Sequence, residues 1–232
     1  MIELLAQLRI HNRSAPSCVD DNGFCPSWIV HNLDRYQTPL LQHIKLTLLS
    51  VAIGFAIAFS LALLAHRRRW LVAPITQVTG ILYTIPSIAL FFLLLPLTGR
   101  GTDTALIALV SYTLLIIFRN VIAGLDGVPA EARDAGRGMG LTDGQLLWTV
   151  ELPLALPEIL AGLRIAVTTT VGLAALAVYA GAGGLGGALF ADVNFRSNVA
   201  VAGGLCVLLA VALDLLVLGA QRALTPWTRA AR

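Results

Sequence analysis

Residues 44–69 read IKLTLLSVAIGFAIAFSLALLAHRRR, an apolar run that ends in a cluster of basic residues. An α-helix rises about 1.5 Å per residue, so roughly 20 mostly apolar residues are needed to cross the hydrocarbon core of a bilayer. Residues 44–65 have this length, and Lys45 near their start is their only charge. The stretch therefore predicts a membrane-spanning helix, and His66–Arg69 indicate that its second end faces the cytoplasm.

The rest of the chain has the same character. Of its 232 residues, 57% are hydrophobic and 12% are charged, with a mean hydropathy of +0.80, whereas about a quarter of the residues in a soluble domain are charged. Because unpaired backbone groups are costly in lipid, such runs must be helical. The predicted fold class is all-α, a polytopic membrane protein with about five transmembrane helices. The four further spans are expected at residues 74–97, 104–122, 159–180 and 199–220.

The predicted spans divide the chain into three regions. Residues 1–42 form an extracytoplasmic tail, in which Met1–Ile10 is expected to be a helix on the membrane surface, since it has no apolar core followed by a cleavage site. Residues 43–222 form the transmembrane domain. Residues 223–232 form a short cytoplasmic tail.

Basic residues are distributed unequally between the two sides, which predicts an external N-terminus and a cytoplasmic C-terminus. Cys18 and Cys25 then lie outside, where disulfides persist. A bridge between them is one hypothesis, and two free thiols in a mobile tail are the other. The basic residues assigned to the cytoplasmic side are Arg67, Arg68, Arg69, Arg119, Arg133, Arg137, Arg164, Arg222, Arg229 and Arg232, against Arg9, Arg13, Arg35, Arg100 and Arg196 outside.

Several other functions are not supported. The sequence has no CxxC pair or His/Cys cluster with metal-ligand spacing, and no basic, aromatic-rich patch for nucleic acid. Residues 181–186 read GAGGLG and fit the dinucleotide pattern, but they follow a membrane helix rather than a strand. These glycines are instead expected to allow a tight reversal and close approach of helices.

The long connection at residues 123–158 is predicted to lie in the cytoplasm as two short helices separated by Gly140. Thr142 is a suitable N-cap for the second helix, Asp143–Val150. Pro153 and Pro157 are expected to end this helix before the chain re-enters the membrane. The segment is either a connector resting on the lipid surface or a docking element for a cytoplasmic partner.

The spacing in this connection resembles that of a known family. Permease subunits of bacterial ABC importers carry a loop of the form E-A-A, three residues, G, nine residues, I-x-L-P. Here Asp134-Ala135-Gly136 is followed after three residues by Gly140, and after nine more by Val150-Glu151-Leu152-Pro153. Asp134 replaces the glutamate, and Gly136 replaces the second alanine. The resemblance implies the type I importer permease fold, with this loop as the coupling helix region.

The resemblance extends over roughly residues 42–227, and within the family the chain looks like the osmoprotectant branch (glycine betaine, carnitine, choline, proline betaine). The glycine stretch 181–186 also resembles methionine-importer permeases. The stretches that carry the likeness to the osmoprotectant branch are residues 83–87, 95–99, 138–140, 152–157 and 161–164.

The resemblance further implies partners in a bacterial inner or plasma membrane. These are ABC ATPase subunits, a second permease subunit (identical or homologous) and an extracytoplasmic solute-binding protein, with lipid around them. The chain has no Walker motif, so it is expected to be non-catalytic and to hold no cofactor, with ATP and Mg bound by the partner ATPase. The residues expected to couple to the ATPase are Asp134, Ala135, Gly136, Gly140 and Leu141.

Solute contacts and intramembrane charges are less clear in the sequence. Aromatic faces bind quaternary ammonium groups, which makes some aromatic residues pathway candidates, although packing explains most membrane aromatics. Asp214 is predicted inside the fifth span, where an acid usually faces the protein interior. Arg164 either extends to the interface or pairs with Asp214. The pathway candidates are Tyr83, Pro86, Tyr112 and Tyr179, with Phe91 and Phe92.

Three alternatives remain open at this stage. The same class of permease would serve a methionine or other amino-acid importer. A stand-alone secondary transporter would use Asp214 as an ion site, but it leaves the spaced loop unexplained. A membrane scaffold without transport activity would tolerate the loss of Gly140.

Overall fold

The computed structural model describes residues 18–19 and 21–227. Within these ranges the chain is helical and contains no strand. The helices are α1 (Pro26–His31), α2 (Gln37–Arg67), α3 (Val72–Thr84), α4 (Ser87–Thr98), α5 (Thr102–Asp126), α6 (Ala130–Gly138), α7 (Asp143–Leu146), α8 (Leu152–Ala175), α9 (Gly184–Ala191) and α10 (Arg196–Leu224). The predicted surface helix at Met1–Ile10 and the last five residues lie outside the described residues.

In the described part of the chain, four helical stretches are long and apolar enough to cross a membrane, and the bent pair α3–α4 makes up to five. Helices α2, α5 and α10 extend beyond the predicted spans at both ends, whereas α8 begins earlier, at Leu152, and ends at Ala175. The second span, in which Pro86 predicts a kink, breaks at Ile85-Pro86 into two helices that are bent by 97°. Pro86 has no N–H to continue the helical ladder, and it precedes the first residue of α4.

Helices α2, α5 and α8 form the centre of the bundle and pack through small residues. A side chain at Gly54 of α2 would collide with Thr113 of α5, and one at Gly162 of α8 would collide with Asn120 of α5. Small residues let helix backbones approach closely in lipid, where van der Waals packing replaces the hydrophobic effect between helices. The close packing of the core therefore depends on where glycine and alanine lie along these helices. Hydropathy alone does not distinguish these buried positions from lipid-facing ones.

The two ends of the bundle differ in chemistry. At the basic end lie His66–Arg69 and the α5–α8 segment (residues 127–151), which is shorter than the predicted loop 123–158. At the disulfide end lie Cys18 and Cys25, the turn between α4 and α5, and α9. Helix α10 runs along the outside of the bundle against α8, and many of its apolar residues remain exposed, as expected for a lipid-facing helix.

The expectation that Pro153 and Pro157 end a helix is wrong. Helix α7 continues through a π-helical turn, Leu147–Glu151, directly into α8, so one helical path runs from Asp143 to Ala175. Pro153 directly follows the π-helical turn, and Pro157 lies within α8, so both prolines are inside this path. Membrane helices tolerate internal proline because local adjustments satisfy the freed carbonyl groups.

Candidate functional site

The α5–α8 segment folds around Gly140, whose backbone has φ of +82°. Helix α6 ends there in a Schellman motif. The N–H of Gly140 donates to the carbonyl of Arg137 at 2.9 Å, and the N–H of Leu141 donates to the carbonyl of Gly136 at 3.2 Å. Only glycine adopts this left-handed conformation without a steric penalty. Glycine at position 140 is thus a requirement of the helix end.

Helix α7 begins with a capping box. The backbone N–H of Gln145 donates to Thr142 Oγ1 at 3.4 Å, and the N–H of Thr142 donates to Gln145 Oε1 at 2.9 Å. Two N–H groups that lack partners at a helix start are satisfied in this way. The predicted N-cap at Thr142 therefore has the expected geometry.

Gly136 is the contact between the two short helices. A Cβ atom at this position would lie 2.5 Å from Leu146 Cδ1, and both residues are buried. The departure from the family pattern, in which alanine stands here, brings α6 and α7 close together. At the sequence level this residue indicates a looser helix, by roughly 1 kcal/mol relative to alanine, and the close packing offsets that effect.

The other residues predicted to couple to the ATPase lie on one accessible surface. Asp134, Ala135 and Gly140 are exposed, and Leu141 is half-buried. Two large apolar side chains on the same segment, Met139 and Trp148, are 74% and 60% exposed, and the sequence alone does not indicate their exposure. Large exposed apolar residues beside charged ones often mark a protein contact.

Beneath this surface lies an ion network that sequence reasoning missed. Glu151 is buried, and its two carboxylate oxygens accept from Arg133 Nε at 2.8 Å and from His66 Nε2 at 2.9 Å. Arg133 also donates to the carbonyl of Leu125 at 2.5 Å. A buried carboxylate is stable only when it is paired and hydrogen-bonded. Its only sequence signal is an acidic residue next to an apolar span.

Arg164 and Asp214 form a bidentate ion pair between α8 and α10. Arg164 Nε donates to Asp214 Oδ1 at 2.8 Å, and its Nη2 donates to Oδ2 at 2.7 Å. The two side chains are about 30% exposed. Because the carboxylate is engaged on both oxygens, this geometry favours a structural role over the ion site that a stand-alone transporter would require.

The residues predicted to line a pathway have different environments. Tyr112 is buried, and its hydroxyl donates to the Ile85 carbonyl at 2.5 Å, so it holds the break at Pro86. Tyr83 is 40% exposed and packs edge-on against Tyr112 with ring centres 6.0 Å apart. Tyr179 packs with Phe190 elsewhere, at the disulfide end. Tyr179 also packs with Phe92 of α4, with ring centres 6.2 Å apart. The role of these residues in solute passage stays a prediction.

The disulfide end is held together by covalent and polar links. Cys18 and Cys25 are joined in a disulfide. The N–H of Cys25 donates to Ser197 Oγ at 2.6 Å, and Tyr36 Oη donates to Asn198 Oδ1 at 2.6 Å. The segment before α2 is thereby attached to the start of α10.

The glycine stretch 181–186 turns the chain at this end. Gly181, Gly183 and Gly184 have φ of +83°, +72° and +76°, and the N–H of Gly184 donates to Gln42 Oε1 at 3.2 Å. The stretch follows helical turns rather than a strand. Among the described residues there is also no group of three or more metal-ligating side chains.

Comparison with known sequences agrees with this architecture. The family model described as "Binding-protein-dependent transport system inner membrane component" matches residues 34–230. The osmoprotectant import permease protein OsmW of Salmonella typhimurium is 42% identical over 206 residues, which cover 86% of this chain and 96% of that protein. The choline transport system permease protein OpuBB of Bacillus subtilis and the carnitine transport permease protein OpuCB of Listeria monocytogenes are 35% and 36% identical, covering 80% of this chain and 86% of each relative.

Solved structures with the same fold come from other importers. A chain of the inward-facing MetNI methionine ABC transporter is 26% identical with a TM-score of 0.68, covering 87% of this chain and 98% of that one. A chain of an amino-acid ABC transporter has a TM-score of 0.71 at 16% identity, covering 85% and 97%, which shows the fold alone. The predicted all-α fold of a type I importer permease is confirmed.

Proposed function

The chain belongs to the family of binding-protein-dependent transport system inner membrane components, and from this premise we propose that it is the permease subunit of an ATP-driven osmoprotectant importer. It is a non-catalytic, multi-pass membrane protein. Its proposed solute is a quaternary amine of the kind named for its relatives, such as choline or carnitine. The observation that carries the proposal is the 42% identity with an osmoprotectant permease across nearly the whole length of both chains.

In the proposed mechanism, ATPase subunits dock on the accessible face of the α5–α8 segment. Asp134, Ala135, Met139 and Gly140 provide exposed contacts, while Gly136 holds α6 against α7 from within. Closure of the ATPases on ATP displaces this segment. The bundle then changes between inward-open and outward-open states, a two-state change driven from a distant site. ATP and Mg are bound by the ATPase, and this chain contributes no cofactor site.

The proposed assembly contains two permease subunits, identical or homologous, because five helices alone do not enclose a pathway. The proposed orientation places the basic end in the cytoplasm and the disulfide end outside. Two features support it, namely the clustering of arginines at His66–Arg69 and the disulfide at the opposite end. A solute-binding protein would deliver its solute to the disulfide end.

The first experiment is co-purification of the chain with its ATPase in detergent, using Asp134→Lys and Gly140→Leu variants. Gly138→Leu is the matched control for Gly140→Leu, because both glycines have free space around them and only Gly140 has a positive φ. We expect the ATPase to be retained by the wild type and by Gly138→Leu and lost from the other two. Full retention in all variants would place the dock elsewhere on the chain, whereas the absence of any ATPase from the wild-type preparation would favour a stand-alone transporter.

A methionine or other amino-acid importer is the second candidate, favoured by the fold of the methionine transporter chain. Uptake measured with the purified complex and its binding protein separates the two. Competition of glycine betaine uptake by choline and carnitine, with no competition by methionine, is the expected result. Competition by methionine alone would favour the second candidate.

A further inference from the structure

We propose that Glu151 is a positioning residue for coupling, which together with Arg133 and His66 makes the α5–α8 segment and the basic ends of three transmembrane helices move as one unit. The inference rests on the proposed function, since it concerns how motion at the docking surface reaches the bundle. It concerns residues other than those predicted to contact the ATPase.

The geometry of the carboxylate is the first step. Glu151 Oε1 accepts from Arg133 of α6, and Oε2 accepts from His66 at the end of α2. Arg133 reaches further, to the Leu125 carbonyl near the end of α5. One buried carboxylate, 6% exposed, thus joins α6 to α2 and to the start of α8, and its arginine partner adds α5.

The position of Glu151 in the chain is the second step. It is the last residue of the π-helical turn Leu147–Glu151, through which α7 continues into α8 without a loop. Single π-helical turns within helices often occur at functional sites. A displacement of α7 is therefore passed along a continuous helix into the membrane, and Glu151 lies at the point where this helix leaves the docking region.

The way α6 is attached is the third step. Helix α6 packs on α7 through Gly136 and Leu146, but it meets α5 through the short turn at residues 127–129. Without the ion network, α6 and α7 could tilt together while α2 and α5 stayed in place. With the network in place, a tilt of α6 and α7 also moves α2 and α5, because His66 links Glu151 to α2 and Arg133 links it to α5. Charge-assisted hydrogen bonds of this kind are short and directional.

The test compares Glu151→Gln with Glu158→Gln in complexes that contain the ATPase, reconstituted in proteoliposomes with the binding protein. Both variants remove one carboxylate charge from the continuous helical path between Asp143 and Ala175, but Glu158 is exposed, whereas Glu151 is buried. Two rates are measured on each complex, ATP hydrolysis and glycine betaine uptake. We expect Glu151→Gln to retain the ATPase on co-purification and to lower the uptake per ATP hydrolysed about 5-fold or more. Glu158→Gln should leave this ratio unchanged.

If Glu151→Gln lowers the yield of assembled complex, a second variant, His66→Leu, is used for the same measurement. His66→Leu removes the link to α2 and leaves the carboxylate paired with Arg133, and it should lower the same ratio to a smaller extent. A merely structural role would reduce assembly, or reduce uptake and hydrolysis in proportion, with the ratio unchanged in both variants. That result overturns the inference. If the wild-type chain binds no ATPase, the proposed function fails as well. The wild-type control therefore distinguishes this failure from a failure of the inference alone.

Discussion

Gly186 and Gly187 are adjacent in the sequence but meet different environments. A Cβ atom at Gly186 would overlap the backbone carbonyl of Ala175, whereas a Cβ atom at Gly187 would meet nothing within 4 Å. Both lie in α9 and neither has a positive φ. The two glycines therefore separate the effect of close helix approach from that of helix propensity.

We expect Gly186→Ala to destabilise the protein by roughly 1–3 kcal/mol, because a backbone carbonyl cannot yield as a flexible side chain can. Gly187→Ala should be neutral or stabilising by up to about 1 kcal/mol, since alanine favours the helix. Thermal unfolding of the two variants in detergent measures both effects. Equal unfolding temperatures would contradict the proposed close contact between α9 and the end of α8.

The residues of the α5–α8 segment differ in how far the sequence indicated their role. The spaced pattern indicates Gly140, and its positive φ supplies the physical reason for a glycine at this position. Thr142 was selected as a cap because its side chain type is common there. Glu151, Met139 and Trp148 were missed, because burial and exposure depend on neighbours that are distant in the sequence.

At the level of elements, α7 depends on its capping box. The helix has only four residues before the π-helical turn, so its start has few other interactions that hold it. We expect Thr142→Ala to destabilise this start by about 1 kcal/mol and to raise amide hydrogen exchange at residues 143–146. Thr142→Ser keeps the hydroxyl and is the matched control. Unchanged exchange in Thr142→Ala would show that packing alone holds α7.

Polar links attach helix α10 to α8. One is the ion pair between Arg164 and Asp214, and another is the donation from Gln221 Nε2 to the carbonyl of Pro157 at 2.9 Å. Most of the remaining surface of α10 is exposed and suited to lipid. Polar links between membrane helices hold one helix on another where apolar packing alone does not set the register.

We expect Asp214→Arg and Arg164→Asp each to lower the unfolding temperature in detergent, because each places two like charges together. The double variant should recover most of the loss by forming the pair in reverse. Unfolding measured by loss of the monodisperse peak on heating gives the comparison. Additive losses in the double variant would show that the two residues do not act as a pair.

For the whole molecule, the distribution of charge and of cysteine predicts one orientation. Arg68 lies at the basic end, and Asn194 lies between α9 and α10 at the disulfide end; both are exposed. Single cysteines at these positions, in a chain whose Cys206 is replaced by serine, report which side each end faces. Cys18 and Cys25 are joined in a disulfide and give no labelling background.

We expect a membrane-impermeant maleimide to label Asn194→Cys in intact spheroplasts and Arg68→Cys only after permeabilisation, because arginine-rich ends are retained in the cytoplasm. The Cys206→Ser chain without either substitution is the control for background. Labelling in the opposite order would show that the orientation is the reverse of the proposed one and that the proposed ATPase docking surface does not face the cytoplasm.

The sequence by itself determined that the chain is an all-helical membrane protein, where its apolar runs lie and which loop carries the spaced pattern of an importer permease. It could do so because the thickness of the bilayer sets the length of a spanning apolar run, and such a run is visible within one stretch of sequence. The loop pattern likewise lies within one stretch of sequence. The sequence also predicts a kink at Pro86. Only the tertiary structure decided that this bend is 97°, that α7 continues into α8 through two prolines, and that Glu151 joins residues 66 and 133. These features depend on contacts between residues far apart in the chain, where the packing of neighbouring helices decides whether a proline breaks a helix and whether an acid can be buried.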